Sequence, residues 1–274
     1  MAIDVTPSTT NPGAAPAGPP PAGAGETLLK LEGIDKNFGP VQALSGVTFE
    51  IRAGMVTALI GDNGAGKSAL IKTIAGIHTS DGGRMIWQGH PVHIRTPRDA
   101  AALGIETVHQ DLALCNNLDI VENMFLGRER VSHLTLDEES MERAAAETLS
   151  SLAVTTVRSI RQAVASLSGG QRQSVAIAKA VLWNSRLVIM DEPTAALGVA
   201  QTAMVLELVR RLADRGLAVL IVSHNMADVF QVADWIAVLR LGRMVAVRPA
   251  AEMDRQVAVD LMTSGVSSRS GGAR

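Results

Sequence analysis

The sequence predicts an α/β fold in three parts: a core of buried strands and helices, an antiparallel β subdomain, and a helical subdomain inserted between strand-bearing stretches. Short apolar, partly β-branched runs at Met55–Ile60 (MVTALI), Arg186–Glu192 (RLVIMDE) and Leu217–Ser223 (LAVLIVS) have the composition of strands buried on both faces. Val41–Ile51 (VQALSGVTFEI) instead alternates, as a half-buried strand does. The stretch 112–168 has mainly helix-forming composition.

In chain order, residues 1–26 form a tail. Its first 25 residues hold six prolines, four glycines and six alanines, without the charged and apolar regions of a signal peptide, so the tail is read as disordered. Structure begins near Leu28 with LLKLEGIDKNFG, which pairs antiparallel with Val41–Ile51 into a sheet that packs on the first helix. Met55–Ile60 and the helix Ala69–Ile77 bracket a glycine-rich loop. Gly82–Val92 reads as a hairpin with His90 and His93 on its surface, and Thr96 opens a short helix with Pro97 at its first position. Ile105–Gln110 is strand-like and ends in a polar break.

The insert carries helices at Ile120–Leu126 and Asp137–Leu152. The second has carboxylates in its first turn, where the helix dipole favours them, and its acidic run reads as a solvated face. Ser174–Trp183 is an apolar helix, Ala200–Arg215 another, and Trp235–Leu239 with Met244–Val247 a closing hairpin whose turn arginines are solvated. Asp254–Met262 is the last helix. Residues 27–264 thus form the folded domain and 265–274 a polar tail.

The loop Gly61–Ser68 (GDNGAGKS) fits G-x-x-x-x-G-K-[ST], a pattern that cradles phosphates. Gly61, Gly64 and Gly66 tolerate backbone angles other residues resist, and Asp62, Asn63 and Ala65 complete the turn. Backbone N–H groups then converge on a polyphosphate at a helix N-terminus. Lys67 reaches the β- and γ-phosphates and Ser68 ligates Mg²⁺. The Arg186–Glu192 strand ends in two carboxylates. Asp191 is placed to hold Mg²⁺ through its water shell and Glu192 to act as general base on the attacking water. His224, at the carboxyl end of Leu217–Ser223, either donates to the γ-phosphate or is structural. Leu167–Gln171 (LSGGQ) opens a helix with Ser168 as cap and the Gly169 and Gly170 N–H groups uncovered; it is a second anion site or a capped buried helix. Phe38, in a chain with four Phe, three Trp and no Tyr, either packs in the core or stacks on an adenine.

The net charge of −2 and pI near 6.3 give no basic excess for nucleic acid. One cysteine, Cys115, admits no intramolecular disulfide, and the six histidines make no zinc pattern. No run of 18 apolar residues crosses a membrane.

Taken in order, Phe38, GDNGAGKS, Gln110, LSGGQ, LVIMDE and His224 resemble the A-loop aromatic, Walker A, Q-loop, signature, Walker B and switch histidine of ABC transporter ATP-binding subunits. GDNGAGKSALIK, DEPTAALG and IVSHNM are similar to the single-cassette carbohydrate importers of the fructose/ribose/xylose type. The resemblance covers roughly residues 28–262. It implies a P-loop NTPase core with an antiparallel β subdomain and a helical signature subdomain. It also implies a homodimer that closes on two ATP molecules, each held between the Walker A of one copy and Ser168, Gly169, Gly170 and Gln171 of the other. Gln110 then joins the Mg²⁺ shell and the catalytic set. The implied partners are membrane permease subunits, docked beside Gln110–Leu114, and indirectly a periplasmic sugar-binding protein; the implied place is the cytoplasmic face of the inner membrane. No nucleic-acid partner is implied. The ATPase of an exporter, or one acting on ribosomes or DNA, shares the same ATP motifs. Two positions depart from the family. Ala69 follows Ser68 where a second hydroxyl is usual, which predicts weaker nucleotide binding by about 1 kcal/mol. Gly198 stands where the D-loop usually carries aspartate.

Overall fold

The computed structural model describes residues 25–265. The N-terminal tail apart from Gly25 and Glu26, and the C-terminal tail apart from Gly265, lie outside the described residues. The antiparallel sheet has the order β2-β1-β4-β5, from β1 (Thr27–Phe38), β2 (Val41–Arg52), β4 (Gly82–Trp87) and β5 (His90–Val92). The expected first two strands and the expected hairpin therefore belong to one sheet.

A second sheet has the order β12-β11-β3-β10-β9-β6. Its strands are β3 (Val56–Ile60), β6 (Ile105–Val108), β9 (Leu187–Asp191), β10 (Ala218–Val222), β11 (Trp235–Arg240) and β12 (Arg243–Pro249). All run parallel except β12, which closes the edge antiparallel to β11. Both faces are buried, with period two. On β10, Val219 and Ile221 enter one core while Ala218, Leu220 and Val222 enter the other; on β9, Val188 and Met190 oppose Leu187 and Ile189.

The two cores have different partners. One face packs on α1 (Lys67–Ile74), through Leu70, Ile71 and Ile74, and on Leu31, Ile34, Phe49 and Ile51 of the antiparallel sheet. α2 (Pro97–Ala102) adds Ala100 there; Pro97 holds its first position as expected, and Thr96 and Asp99 form a capping box at its N-terminus. The other face packs on α5 (Gly169–Val181), α6 (Val199–Asp214), α7 (Met226–Val232) and α8 (Arg255–Thr263), and this core continues into α3 (Ile120–Phe125) and α4 (Glu138–Ser151). Phe125, 1% exposed, meets Trp183 edge-on at 5.4 Å between ring centroids and so joins α3 to the end of α5. Truncating such a ring costs about 3–5 kcal/mol.

Two polar contacts brace opposite ends of the parallel sheet. Asp234 Oδ2 accepts from the Val56 N–H at 2.7 Å and from Arg210 at 2.8 Å, tying the start of β3 to α6. Thr194 donates to buried Asp228 Oδ2 at 2.6 Å, tying the turn after β9 to α7. Local readings are refined. The helix that Ser168 opens, α5, runs from Gly169 into the apolar stretch given from Ser174, because the reciprocal Ser168–Gln171 capping box starts it despite its two glycines. A small hairpin, β7 (Val131–Ser132) and β8 (Thr135–Leu136), precedes α4. The acidic run is partly paired: Arg161 contacts Asp119 at 3.0 Å, Glu138 at 2.9 Å and also Glu142. Of the turn arginines, Arg240 donates to the Thr263 carbonyl at 3.0 Å, while Arg243 is exposed.

Candidate active site

The phosphate-pattern loop leaves β3 and enters α1, and its glycines are required for two different reasons. At Gly61 the reason is space: an added Cβ would lie 2.2 Å from the Leu239 carbonyl oxygen. No left-handed angle is involved there, which corrects the expectation for that glycine. Gly64 has φ +81° in open surroundings, whereas Gly66, with φ +104°, combines both constraints, its added Cβ meeting the Ala43 oxygen at 2.7 Å. The Gly242 N–H donates to the Ala65 carbonyl at 2.9 Å, holding the loop against the β11–β12 turn. Lys67 Nζ donates to the carbonyls of Gly61 at 2.6 Å and Asp62 at 3.0 Å, so the ammonium is folded over its own loop. Asp62, Asn63, Gly64 and Ser68 are exposed at the helix start. Ala69 is half-buried and packs against the α1-side core.

The strand order brings the other ends alongside. β3 neighbours β10, β10 neighbours β9, and β9 neighbours β6, so Gly61, His224, Asp191–Glu192 and His109–Gln110 all follow adjacent parallel strands at one edge. That is the edge at which ligands gather in such sheets. Glu192 has φ +50°, and its N–H donates to the Val222 carbonyl at 2.8 Å. The carboxylate meets His224 Nδ1 at 2.8 Å. A non-glycine residue in this left-handed region is strained, and such strain collects at functional positions. His224 is exposed while Glu192 is mostly covered. If Nδ1–H donates to Glu192, donation from Nε2 to a further oxygen takes the second ring proton as well.

Asp191 is half-buried at the end of β9. Burial, and then the neighbouring Glu192 carboxylate, hold its carboxyl above the usual carboxylate range; His109, Lys67 and Lys72 pull the other way. A desolvated carboxylate beside a phosphate-pattern loop and the exposed Ser68 hydroxyl fits a divalent cation, whose charge would offset this cost. The sign of the pH effect follows from the direction. The folded state binds a proton more tightly at Asp191 than the unfolded chain does, so this group's contribution to stability falls as pH rises from the unfolded value through the raised one. Asp191→Asn is therefore expected to raise the melting temperature of nucleotide-free protein at pH 7. It should also shrink the extra stabilisation that Mg²⁺ with nucleotide gives. Thermal melts with and without ligand check both signs.

Phe38 does not enter the core. It ends β1 with 42% of its surface exposed, edge-on to His78 at 5.0 Å. An exposed ring of this kind is a stacking surface. Ser168 caps α5 as expected, and the Gln171 side chain both accepts from the Ser168 N–H at 2.9 Å and donates to the Thr156 carbonyl. Gly169 and Gly170 lie against Leu197 and Gln201: added Cβ atoms would be 3.1 Å from Leu197 Cδ2 and 3.1 Å from Gln201 Cβ, respectively. Gln110 is exposed just past β6, followed by Ala113 at φ +50° with Leu112 and Leu114 packed inward. The sequence reading missed His109 and Lys72 as neighbours of Asp191, and Gln201 as a neighbour of the glycine pair. Only the position of His109 directly before Gln110 pointed to any of them.

The ABC transporter family model matches residues 44–195. The fructose import ATP-binding protein of Rhizobium meliloti is 47% identical over 247 residues, 88% of this chain and 95% of that protein. The xylose/arabinose import ATP-binding protein of Sulfolobus acidocaldarius is 45% identical over 237 residues, 86% of this chain and 94% of that protein. A solved ATP-binding cassette of an ABC transporter in its ADP conformation matches with a TM-score of 0.76 at 28% identity, covering 86% of this chain and 96% of that one.

Proposed function

The chain belongs to the ABC transporter family, and from that premise we propose how its own residues bind ATP, cleave it and drive sugar uptake. It is an ATP-hydrolysing subunit that energises import of a sugar through a separate membrane permease. The likeness to two sugar-import ATP-binding proteins over nearly their whole length supports the transport reading. The ATPase reading is carried by one observation: the Gly61–Ser68 loop, Asp191, and the Glu192–His224 pair lie at one edge of the parallel sheet.

Loop N–H groups and Lys67 take the polyphosphate, with the ammonium moving from carbonyls of its own loop to phosphate oxygens. Phe38 stacks on the adenine. Ser68, Asp191 and Gln110 would hold Mg²⁺, which would supply charge neutralisation on the phosphates. Glu192 accepts a proton from water as that oxygen attacks the γ-phosphorus, and ADP leaves with the bond to the β-phosphate oxygen broken. His224 keeps the Glu192 carboxylate oriented and faces the γ-phosphate. Ser168, Gly169, Gly170 and Gln171 act on the nucleotide of a second copy, so that two chains close around two ATP molecules. Among the described residues no helix is long and apolar enough to cross a membrane; the likeness to import ATP-binding proteins supports a peripheral subunit on the cytoplasmic face. A permease segment docks beside Gln110–Leu114, and a periplasmic sugar-binding protein delivers cargo from the other side.

The test is reconstitution. Alone, the protein should hydrolyse ATP slowly. With its permease and the sugar-loaded binding protein in liposomes, the rate should rise at least several-fold, and labelled sugar should accumulate only with ATP present. Loss of the gene with normal uptake of every sugar tested, but failure to extrude a toxic compound, overturns import in favour of export.

A further inference from the structure

We propose that Gln201 is a positioning residue for ATP hydrolysis: its aliphatic stem fixes the Gly169–Gly170 pair against the start of α6, so that signature and D-loop move as one body. This deepens the shared-site reading and rests on it.

The geometry is specific. Gly170 sits so close to α6 that an added Cβ would lie 3.1 Å from Gln201 Cβ, 3.2 Å from its Cγ and 3.6 Å from its Cα. Gly169 is bounded on the same side by Leu197 Cδ2 at 3.1 Å and Gln201 Oε1 at 3.8 Å. The glycine pair thus lies in a cradle built by two residues that flank Gly198. Gln201 Oε1 also accepts from the Gly198 N–H at 3.3 Å, which caps α6 although Gly198 has no side chain to do so. That bond is long and exposed, so it adds little; the Gln201 stem is what leaves Gly170 no room for a side chain unless one of the two gives by a few tenths of an ångström.

The consequence concerns Gly198. An aspartate side chain would fit there, since an added Cβ meets nothing within 4 Å. The chain has none, and so lacks a charged side chain at the point where two nucleotide sites communicate. Packing supplies the connection instead. Whatever moves the 195–198 segment carries Gly169 and Gly170 with it through Gln201, because a glycine packed where even an added methyl group would crowd its neighbour transmits displacement rather than absorbs it. A shift of the glycine N–H groups by even 1 Å at a partner's γ-phosphate is enough to cost tenfold or more in rate.

Three forms of the full-length protein decide it: wild type, Gln201→Ala and Gln201→Met. The alanine loses Cγ and the acceptor; methionine keeps the unbranched stem and loses only the acceptor. Gln201→Ala should lower kcat about tenfold and weaken ATP-dependent dimerisation of the Glu192→Gln form, while the affinity of the single chain for a fluorescent ATP analogue stays within about twofold. Gln201→Met should recover at least half of kcat. The proposal is overturned if Gln201→Ala hydrolyses ATP like wild type, or if methionine loses as much as alanine, or if both lose analogue affinity in step with kcat. Lys67→Ala, measured alongside, separates the two levels. If it too retains activity, the ATPase site itself is misassigned; if it is inactive while Gln201→Ala is normal, only the positioning role fails.

Discussion

Glu192→Gln is expected to bind ATP with close to wild-type affinity and to hydrolyse it at least about a hundredfold more slowly, the usual range for removing a general base. The substitution is unusually clean here. The backbone at Glu192 is held at φ +50° by its N–H bond to the Val222 carbonyl, which an amide side chain leaves untouched. Gln Oε1 can still accept from His224 Nδ1, so the 2.8 Å contact survives. Only the capacity to take a proton from water is lost. Phosphate release and analogue binding on the same preparation give the answer, and retention of more than about a tenth of wild-type turnover would remove Glu192 from the role. The same variant should accumulate an ATP-bound dimer visible by size, since closure is kept and the step that reopens it is blocked.

The centre of the parallel sheet was legible because its strands are apolar on both faces, and a sequence shows that without knowing what lies on either side. β3, β9 and β10 came through with their ends nearly in place for this reason. The antiparallel hairpins were legible for the opposite reason, as alternation separated by turn residues. What failed was local. β7 and β8 are two residues each and carry no period to detect. The start of α5, by contrast, was legible through Ser168 as its cap, although Gly169 and Gly170 are poor helix formers, and the capping box that overrides them is a reciprocal pair of hydrogen bonds. Arg161 draws on carboxylates up to 42 residues away, so the acidic face of α4 read as solvated.

At the site, residue types were legible and their contacts were not. A carboxylate pair after an apolar strand and a histidine after the next one identify chemistry from linear order. That Glu192 and His224 touch depends on β9 and β10 being neighbours, a fact of topology. Gly61 shows the same limit: its need is the Leu239 carbonyl, 178 residues on, which no local pattern reveals. Phe38 had two readings until its exposure decided against the core. Gly198 looked like a loss, and the Gln201 packing beside it becomes visible only once α5 and α6 are laid together.

Lys67→Ala should lower ATP affinity by one to two orders of magnitude, since charge-assisted hydrogen bonds to phosphate contribute roughly 1.5–3 kcal/mol, and should lower hydrolysis at least as far. Ser168→Arg should abolish turnover by a different route, placing a long cation where the α5 N-terminus must approach phosphate, with a cap loss of about 0.5–2 kcal/mol that a thermal melt will register. Each chain alone should be inactive. Their mixture should not be: in a mixed dimer one composite site pairs the intact loop of the Ser168→Arg chain with the intact signature of the Lys67→Ala chain. Random pairing makes about half the dimers mixed, each with one working site of two, so roughly a quarter of wild-type activity is the ceiling if the sites fire independently. Recovery near this ceiling, with a quadratic dependence on protein concentration when dilute, establishes the signature as acting in trans. No recovery in the mixture, with wild-type activity linear in protein concentration and no ATP-dependent dimer of the Glu192→Gln form, would instead place both halves of the site in one chain.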